Sequence, residues 1–232
     1  MLRITSPWLT ITPDNIAACD KAFFDSFGSL KDYERHVNNY SKKEVELTFD
    51  CLPDPFCGNP QSKVYCLNKN PGKPDPCFAN DLAFRDATLK NLRLEQDTCF
   101  WAENILNECG KYHAGVDWMK KRTKELEDIL ERRPDIFFIE YFPYHSTYGF
   151  DFPECLPSYT FTNNLIMKAM EEGKTIIIMR EKNKWLKRIV GLASYPNLYV
   201  LKYAQGGYLT KNNIIKYDTG QNLTDDEIKA MF

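Results

Sequence analysis

Four short, unbroken apolar runs constrain this chain more than any other feature. They are Val64-Tyr65-Cys66-Leu67, Ile136-Phe137-Phe138-Ile139, Thr175-Ile176-Ile177-Ile178-Met179 and Leu198-Tyr199-Val200-Leu201. Each has the length of a strand, and none alternates polar with apolar residues. A strand that reads this way is covered on both faces. Stretches of helical periodicity separate the runs, over about 80–108, 117–132, 162–172 and 182–192. Strands alternating with helices in this order belong to α/β domains with a parallel sheet. The expectation is four parallel strands at 64–67, 136–140, 175–179 and 198–202.

The remaining segments fill in around that frame. Asp14 is placed to cap a helix carrying Ile16, Cys19, Ala22 and Phe23 at helical spacing, and Ser29 to open another after Gly28. Residues 1–45 read as an N-terminal helical extension and 46–232 as the α/β domain. Glu44 to Phe49 alternates as a strand does, and Thr224 with Glu227 forms a capping box for a last helix.

No apolar run nears the roughly 18 residues that span a bilayer. Arg3 is followed by no continuous apolar stretch of the kind that leads a secreted chain. The reading is a cytoplasmic monomer without a membrane partner. The eight cysteines contain no Cys-x-x-Cys pair, so they are expected as reduced thiols rather than metal ligands or disulfides.

Charge is unevenly spread. Between Lys168 and Lys216 ten basic residues face three acidic ones, a local +7 in a chain of net charge −2. This is either a face that meets phosphates or an ordinary solvated surface. In parallel sheets ligands bind beyond the carboxyl ends of the strands. That rule selects four loops. The first holds Asn68, Lys69, Asn70, Pro71 and Gly72. The second holds Glu140, Tyr141, Phe142, Tyr144 and His145, an acid, a base and aromatic faces. The third holds Arg180, Lys184 and Trp185, and the fourth Gln205, Gly206, Gly207, Tyr208 and Lys211. Gly-x-Gly-x-x-Gly, the phosphate loop Gly-x-x-x-x-Gly-Lys-Ser/Thr and Gly-x-Ser-x-Gly are all missing. With no metal-ligand spacing either, no metal or cofactor is expected.

Strand Val64–Leu67 running into Asn68-Lys69-Asn70-Pro71-Gly72 resembles the first motif of the uracil-DNA glycosylase superfamily, a Gly-x-Asn-Pro-Gly loop in members that excise mispaired or modified uracil. Asn68 stands where that loop has its first Gly. The order of elements is similar over about residues 50–215. Leu52-Pro53-Asp54-Pro55-Phe56-Cys57-Gly58-Asn59-Pro60 and Glu140-Tyr141-Phe142-Pro143-Tyr144-His145-Ser146 look like an uncharacterised bacterial branch.

The resemblance implies a three-layer α/β/α sandwich with a four-stranded parallel sheet and a pocket for a base flipped out of DNA. By its logic Asn70 orients water, while His145 or Arg180 stabilises the leaving base. Asn68, Pro71, Gly72, Glu140, Phe142 and Tyr144 hold the base. Gln205, Gly206, Gly207, Tyr208 and Lys211 meet nucleic acid. Two departures lower the expected activity. Asn70 replaces the Asp of the strongest enzymes and cannot accept a proton. Ala204-Gln205-Gly206-Gly207 replaces a His-Pro-Ser-Pro-like second motif. The expected function is hydrolysis of an N-glycosidic bond, absent or slow on plain uracil. A module that binds DNA or a nucleotide without cleaving it is the alternative.

Overall fold

The computed structural model describes residues 6–107 and 109–232. The chain is a mixed α/β fold built on one six-stranded sheet. The four apolar runs form strands β3 (Val64–Leu67), β4 (Ile136–Ile139), β6 (Thr175–Ile178) and β7 (Leu198–Leu201). They lie side by side in the order β4-β3-β6-β7, and every pairing among them is parallel. The sheet itself is not the four-stranded parallel one expected. Antiparallel strands β2 (Phe56–Cys57) and β8 (Ile214–Lys216) extend its two edges and make it mixed. A separate antiparallel pair joins β1 (Leu47–Thr48) to β5 (His145–Ser146).

Neighbouring residues of each central strand point to opposite faces, and both faces carry a hydrophobic core. Tyr65, Leu67, Phe137, Ile139, Ile176 and Ile178 belong to one core. Val64, Cys66, Ile136, Phe138 and Ile177 belong to the other. That is why no polar residue interrupts the runs. The first core receives Ile166 of helix α5 (Tyr159–Glu171) and Trp185 of helix α6 (Lys182–Arg188). The second receives Val116, Met119 and Leu126 of helix α4 (Ala114–Leu130) and Ile228 of helix α7 (Asp225–Met231). Thr224 and Glu227 close the expected capping box of α7.

The N-terminal segment packs into the first core. It carries helices α1 (Lys21–Asp25) and α2 (Leu30–Tyr40), and its Trp8, Ile16, Phe24, Tyr33 and Val37 sit in the first core. Asp14 does not cap a helix. Ile11 bridges Ala17 across a tight loop in which Asn15 takes φ 54°, and helix begins only at Ala18. The helix expected over 80–108 is shorter than its periodicity suggested. Helix α3 (Leu82–Leu92) ends where Leu94 adopts φ 61°, and turns follow. No helix among the described residues is long and apolar enough to cross a membrane, and all eight cysteines are free thiols.

The topology locates a crevice. The connection leaving β3 leads to β4 on one side, and the connection leaving β6 leads to β7 on the other. The carboxyl ends of β3 and β6 therefore lie at a switch point, where a ligand is least obstructed by crossing chain.

Candidate functional site

Asn68 follows β3 and Arg180 follows β6 closely, so the two residues flank that crevice. A cleft of about 450 Å³ opens there. This is within the roughly 300–1,000 Å³ typical of small-ligand sites. Asn68, Asn70, Pro71, Gly72, Glu140, His145 and Arg180 all line it. A second, more apolar cavity of about 300 Å³ adjoins it through Asp54, Cys57, His113 and His145.

Backbone bonds hold the loops in place. Asn68 N–H donates to Ile139 O at 2.8 Å, and Phe142 N–H donates to Lys69 O at 2.9 Å. The Trp185 indole donates to Asn68 O at 2.8 Å, pinning the first loop onto α6. The Asn70 amide nitrogen donates to Pro71 O at 2.7 Å and to Ser146 Oγ at 2.8 Å. Because a carbonyl can only accept, this contact fixes which end of the amide is nitrogen. Both amide protons are engaged, so Asn70 offers its oxygen, an acceptor suited to holding water.

Glu140 is half-buried at the cleft. Its Oε1 accepts from Asn68 Nδ2 at 2.9 Å. Its Oε2, Asn68 Oδ1 and Arg180 Nε are buried without a partner. Burial first, and then the neighbouring Asp54 carboxylate, push the Glu140 carboxyl up to about 8, against the opposing pull of Asn68 and Arg180. Burial alone pushes Asp54 up to about 7. Two carboxyls thus change state near neutral pH in one cleft, a property concentrated at working sites.

The histidines behave differently. Burial lowers the pKa of His145, although the carbonyls of Gly72 and Leu52 pull it the other way. Its Nδ1 donates to Gly72 O at 2.8 Å. His113, at the start of α4, is held down to about 4 by burial. Both rings are therefore neutral at pH 7, and the positive charge expected of His145 or Arg180 falls to Arg180, whose Nη2 donates to Gln205 O at 3.0 Å.

Several expected residues lie elsewhere. Phe142 is fully buried and stacked on Phe152 with centroids 5.2 Å apart, so it has no face left for a base. Tyr144 is 1% exposed, and its hydroxyl donates to Asp20 Oδ2 at 2.7 Å. Both are core residues. Gln205, Gly206, Gly207, Tyr208 and Lys211 are absent from the cleft lining. Gln205 braces Arg180 and Gly206 O accepts from Arg122 Nε at 2.8 Å. Tyr208 packs on the Arg122 guanidinium, 4.7 Å from ring centroid to carbon, and Lys211 pairs with Asp225 at 2.8 Å.

Three of the seven excess positive charges of 168–216 are met on folding by acids outside the segment. Lys168 and Lys174 pair with Glu172 at 3.6 and 3.1 Å. Lys184 pairs with Asp151, Lys187 with Glu154 and Lys211 with Asp225, all acids outside the segment. Arg188 is sandwiched between Tyr141 and Tyr159, 3.4 and 3.5 Å from the two ring centroids. The paired lysines accord with a solvated surface, while Lys182 and Lys202 stay exposed.

Sequence reasoning did not single out Asp54 as a site residue. Its one signal is a carboxylate set between Pro53 and Pro55, which holds it in extended backbone. His113 and Trp118 also line the cleft, and neither carried a local pattern. Among the described residues no cluster of His, Cys, Asp and Glu could hold a metal ion. No family model, no curated protein and no solved structure matches this chain.

Proposed function

We propose that the cleft holds a nucleobase and that the chain hydrolyses the N-glycosidic bond attaching it, on a three-layer α/β/α sandwich of the uracil-DNA glycosylase type with β4-β3-β6-β7 as its parallel centre. The observation that carries this reading is the convergence of Asn70, Arg180, Glu140 and Asp54 on one base-sized cleft at the carboxyl ends of the strands. The motif-like loop 68–72 supplies the floor, and neither Tyr141 nor Tyr208 fills the space.

In the proposed reaction the Asn70 oxygen orients a water towards the anomeric carbon of the sugar. The carbon–nitrogen bond breaks, its electron pair leaves with the base, and the water oxygen bonds the carbon. Asn70 cannot take the water's proton, so the Asp54 carboxylate does. Glu140, protonated over most of the neutral range, hydrogen-bonds the departing base, and Arg180 offsets its developing negative charge.

A second reading is binding without cleavage, and the pairing of Lys184, Lys187 and Lys211 with acids bears on its ligand. A lysine already held by an acid of the chain releases fewer counterions from DNA. A free nucleoside or nucleotide is then the ligand. A single-turnover assay on oligonucleotides carrying damaged bases, run beside free nucleosides, separates the two. Base release slowed roughly 10²–10⁴-fold in Asp54→Asn supports hydrolysis with Asp54 as proton acceptor. Saturable binding with no released base supports the second reading and rejects the first.

A further inference from the structure

We infer that Glu140 and Asn68 together read one edge of the bound base, and that the proton on Glu140 decides which edge they accept. This rests on the reading of the cleft as a base pocket and names the class of base within it.

The hydrogen bond from Asn68 Nδ2 to Glu140 Oε1 spends one end of each side chain. What remains is Asn68 Oδ1 and Glu140 Oε2, both buried and both without a partner. Asn68 is 93% buried by its 7% exposure, and both residues line the cleft. A buried acceptor left unmet is costly, so a ligand that meets both is strongly selected.

The ligand's pattern follows from donor and acceptor counting. With Glu140 ionised, the two free oxygens are both acceptors, and they call for two adjacent N–H donors. The N1–H and 2-amino group of guanine form such an edge. With Glu140 protonated on Oε2, the pair becomes a donor beside an acceptor. That calls for a lactam edge, a carbonyl next to an N–H, which hypoxanthine, uracil and guanine all present. Hypoxanthine and uracil have no second adjacent donor, so they lose a partner when Glu140 ionises.

The groups around Glu140 set where this change falls. Asp54 and burial favour the proton. Asn68, the Lys69 N–H after β3 and Arg180 after β6 favour the carboxylate. Cys57 of β2 faces it as a neutral thiol, its own pKa raised by burial.

Guanosine and inosine differ by one amino group, which makes them the probes. Each is titrated calorimetrically into the full chain at pH 6 and pH 8.5. Their affinities are expected to match at pH 6. At pH 8.5 guanosine is expected to bind at least about ten-fold tighter, the worth of one hydrogen bond to a charged group. In Glu140→Gln the amide oxygen keeps the bond from Asn68 and the amide nitrogen donates at any pH. The affinity ratio is then expected to stay near one, and pH dependence that survives in this variant belongs to the nucleoside. A wild-type ratio unchanged between the two pH values overturns the inference while leaving the base pocket standing. So does a Glu140→Gln ratio that rises as the wild type's does. Binding of neither nucleoside overturns both, and is the result expected if Glu140 and Asn68 close a reciprocal acid–amide pair that excludes ligand.

Discussion

Asp20 and Glu140 are both sunk in the protein, and their surroundings are opposite. Asp20 is fully buried, and both its oxygens are served. Tyr144 hydroxyl donates to Oδ2 at 2.7 Å and Ser158 N–H donates to Oδ1 at 2.8 Å. The Tyr144 hydroxyl in turn accepts from Ala17 N–H at 3.2 Å. Glu140 has one oxygen served and one orphaned, beside an orphaned amide oxygen and an orphaned guanidinium nitrogen. A buried polar group is retained either because it is satisfied, and then holds the fold, or because something else satisfies it, and then marks a site. Orphaned atoms also lie beside Asp20, at Trp8 Nε1 and Ser158 Oγ, but the cleft gathers three of them, from Asn68, Glu140 and Arg180, round one cavity, and that is where a ligand belongs.

The comparison breaks most visibly through Asp20. Asp20→Ala strands the Tyr144 hydroxyl and the Ser158 N–H in the core, and is expected to cost about 3–5 kcal/mol. The midpoint of urea unfolding measures it. Molecules that remain folded should bind ligand as the wild type does. A change within about 0.5 kcal/mol, the range of ordinary surface substitutions, would show that the network does not hold the N-terminal segment to the sheet.

Glu140→Gln should act in the other direction, and only at higher pH. The folded-state pKa of Glu140 lies near 8, above its ordinary value of 4.5. The folded chain therefore keeps a proton that the unfolded chain has already lost. Stability is greatest on the acid side, falls as pH rises from about 4.5 to about 8, and levels off above. The neutral amide escapes that fall, so at pH 8.5 the variant is expected to exceed the wild type by on the order of 2–4 kcal/mol. At pH 4.5 the two should match. Asp54→Asn is expected to do the same over a window between its ordinary 3.8 and about 7. His113 runs oppositely. Its pKa is held near 4, so its neutral burial destabilises the fold as pH drops from 6.5 to about 4, offsetting part of the carboxyls' effect there.

Much of the architecture was legible because its cause is local. Tyr65-Cys66-Leu67 and Ile176-Ile177-Ile178 are apolar at every position because both faces are covered, and adjacent residues declare it. The edge strands were not legible. Phe56–Cys57 and Ile214–Lys216 are two and three residues long, and only pairing with β4 and β7 makes them strands. The loops after the strands could be found by rule, and Asn68, Asn70, Glu140 and Arg180 came together from three separate loops. Phe142 and Tyr144 misled for a reason the sequence hides. The partners that fill their environment, Phe152 and Asp20, come from distant segments. The same holds for the basic run, whose counter-charges Asp151, Glu154 and Asp225 lie outside it.

A milder test sharpens the contrast at the rim. The Lys69 ammonium passes directly over Gly149, where a Cβ would meet Nζ at 1.9 Å, and pairs with Glu181 at 3.3 Å. Gly149→Ala must displace a flexible side chain, so a cost of about 1 kcal/mol is expected, with weaker ligand binding as Lys69 moves. Smallest of all, Lys187→Ala removes an exposed pair and is expected to leave the urea midpoint unchanged. It should also leave any affinity for DNA unchanged. A clear loss of DNA binding in Lys187→Ala, with a steep dependence on salt, would restore the basic face as a contact surface.

The contrast between a served and an unserved buried carboxyl is most directly read by carbon-13 NMR of carboxyl-labelled glutamate, followed with pH in the presence and absence of guanosine. One resonance, missing from Glu140→Gln, is expected to titrate near 8 in the free chain and to move on saturation with the nucleoside. If every glutamate titrates in the ordinary carboxylate range, the proton on Glu140 decides nothing, and if the Glu140 resonance is also indifferent to guanosine, the cleft is not the working site.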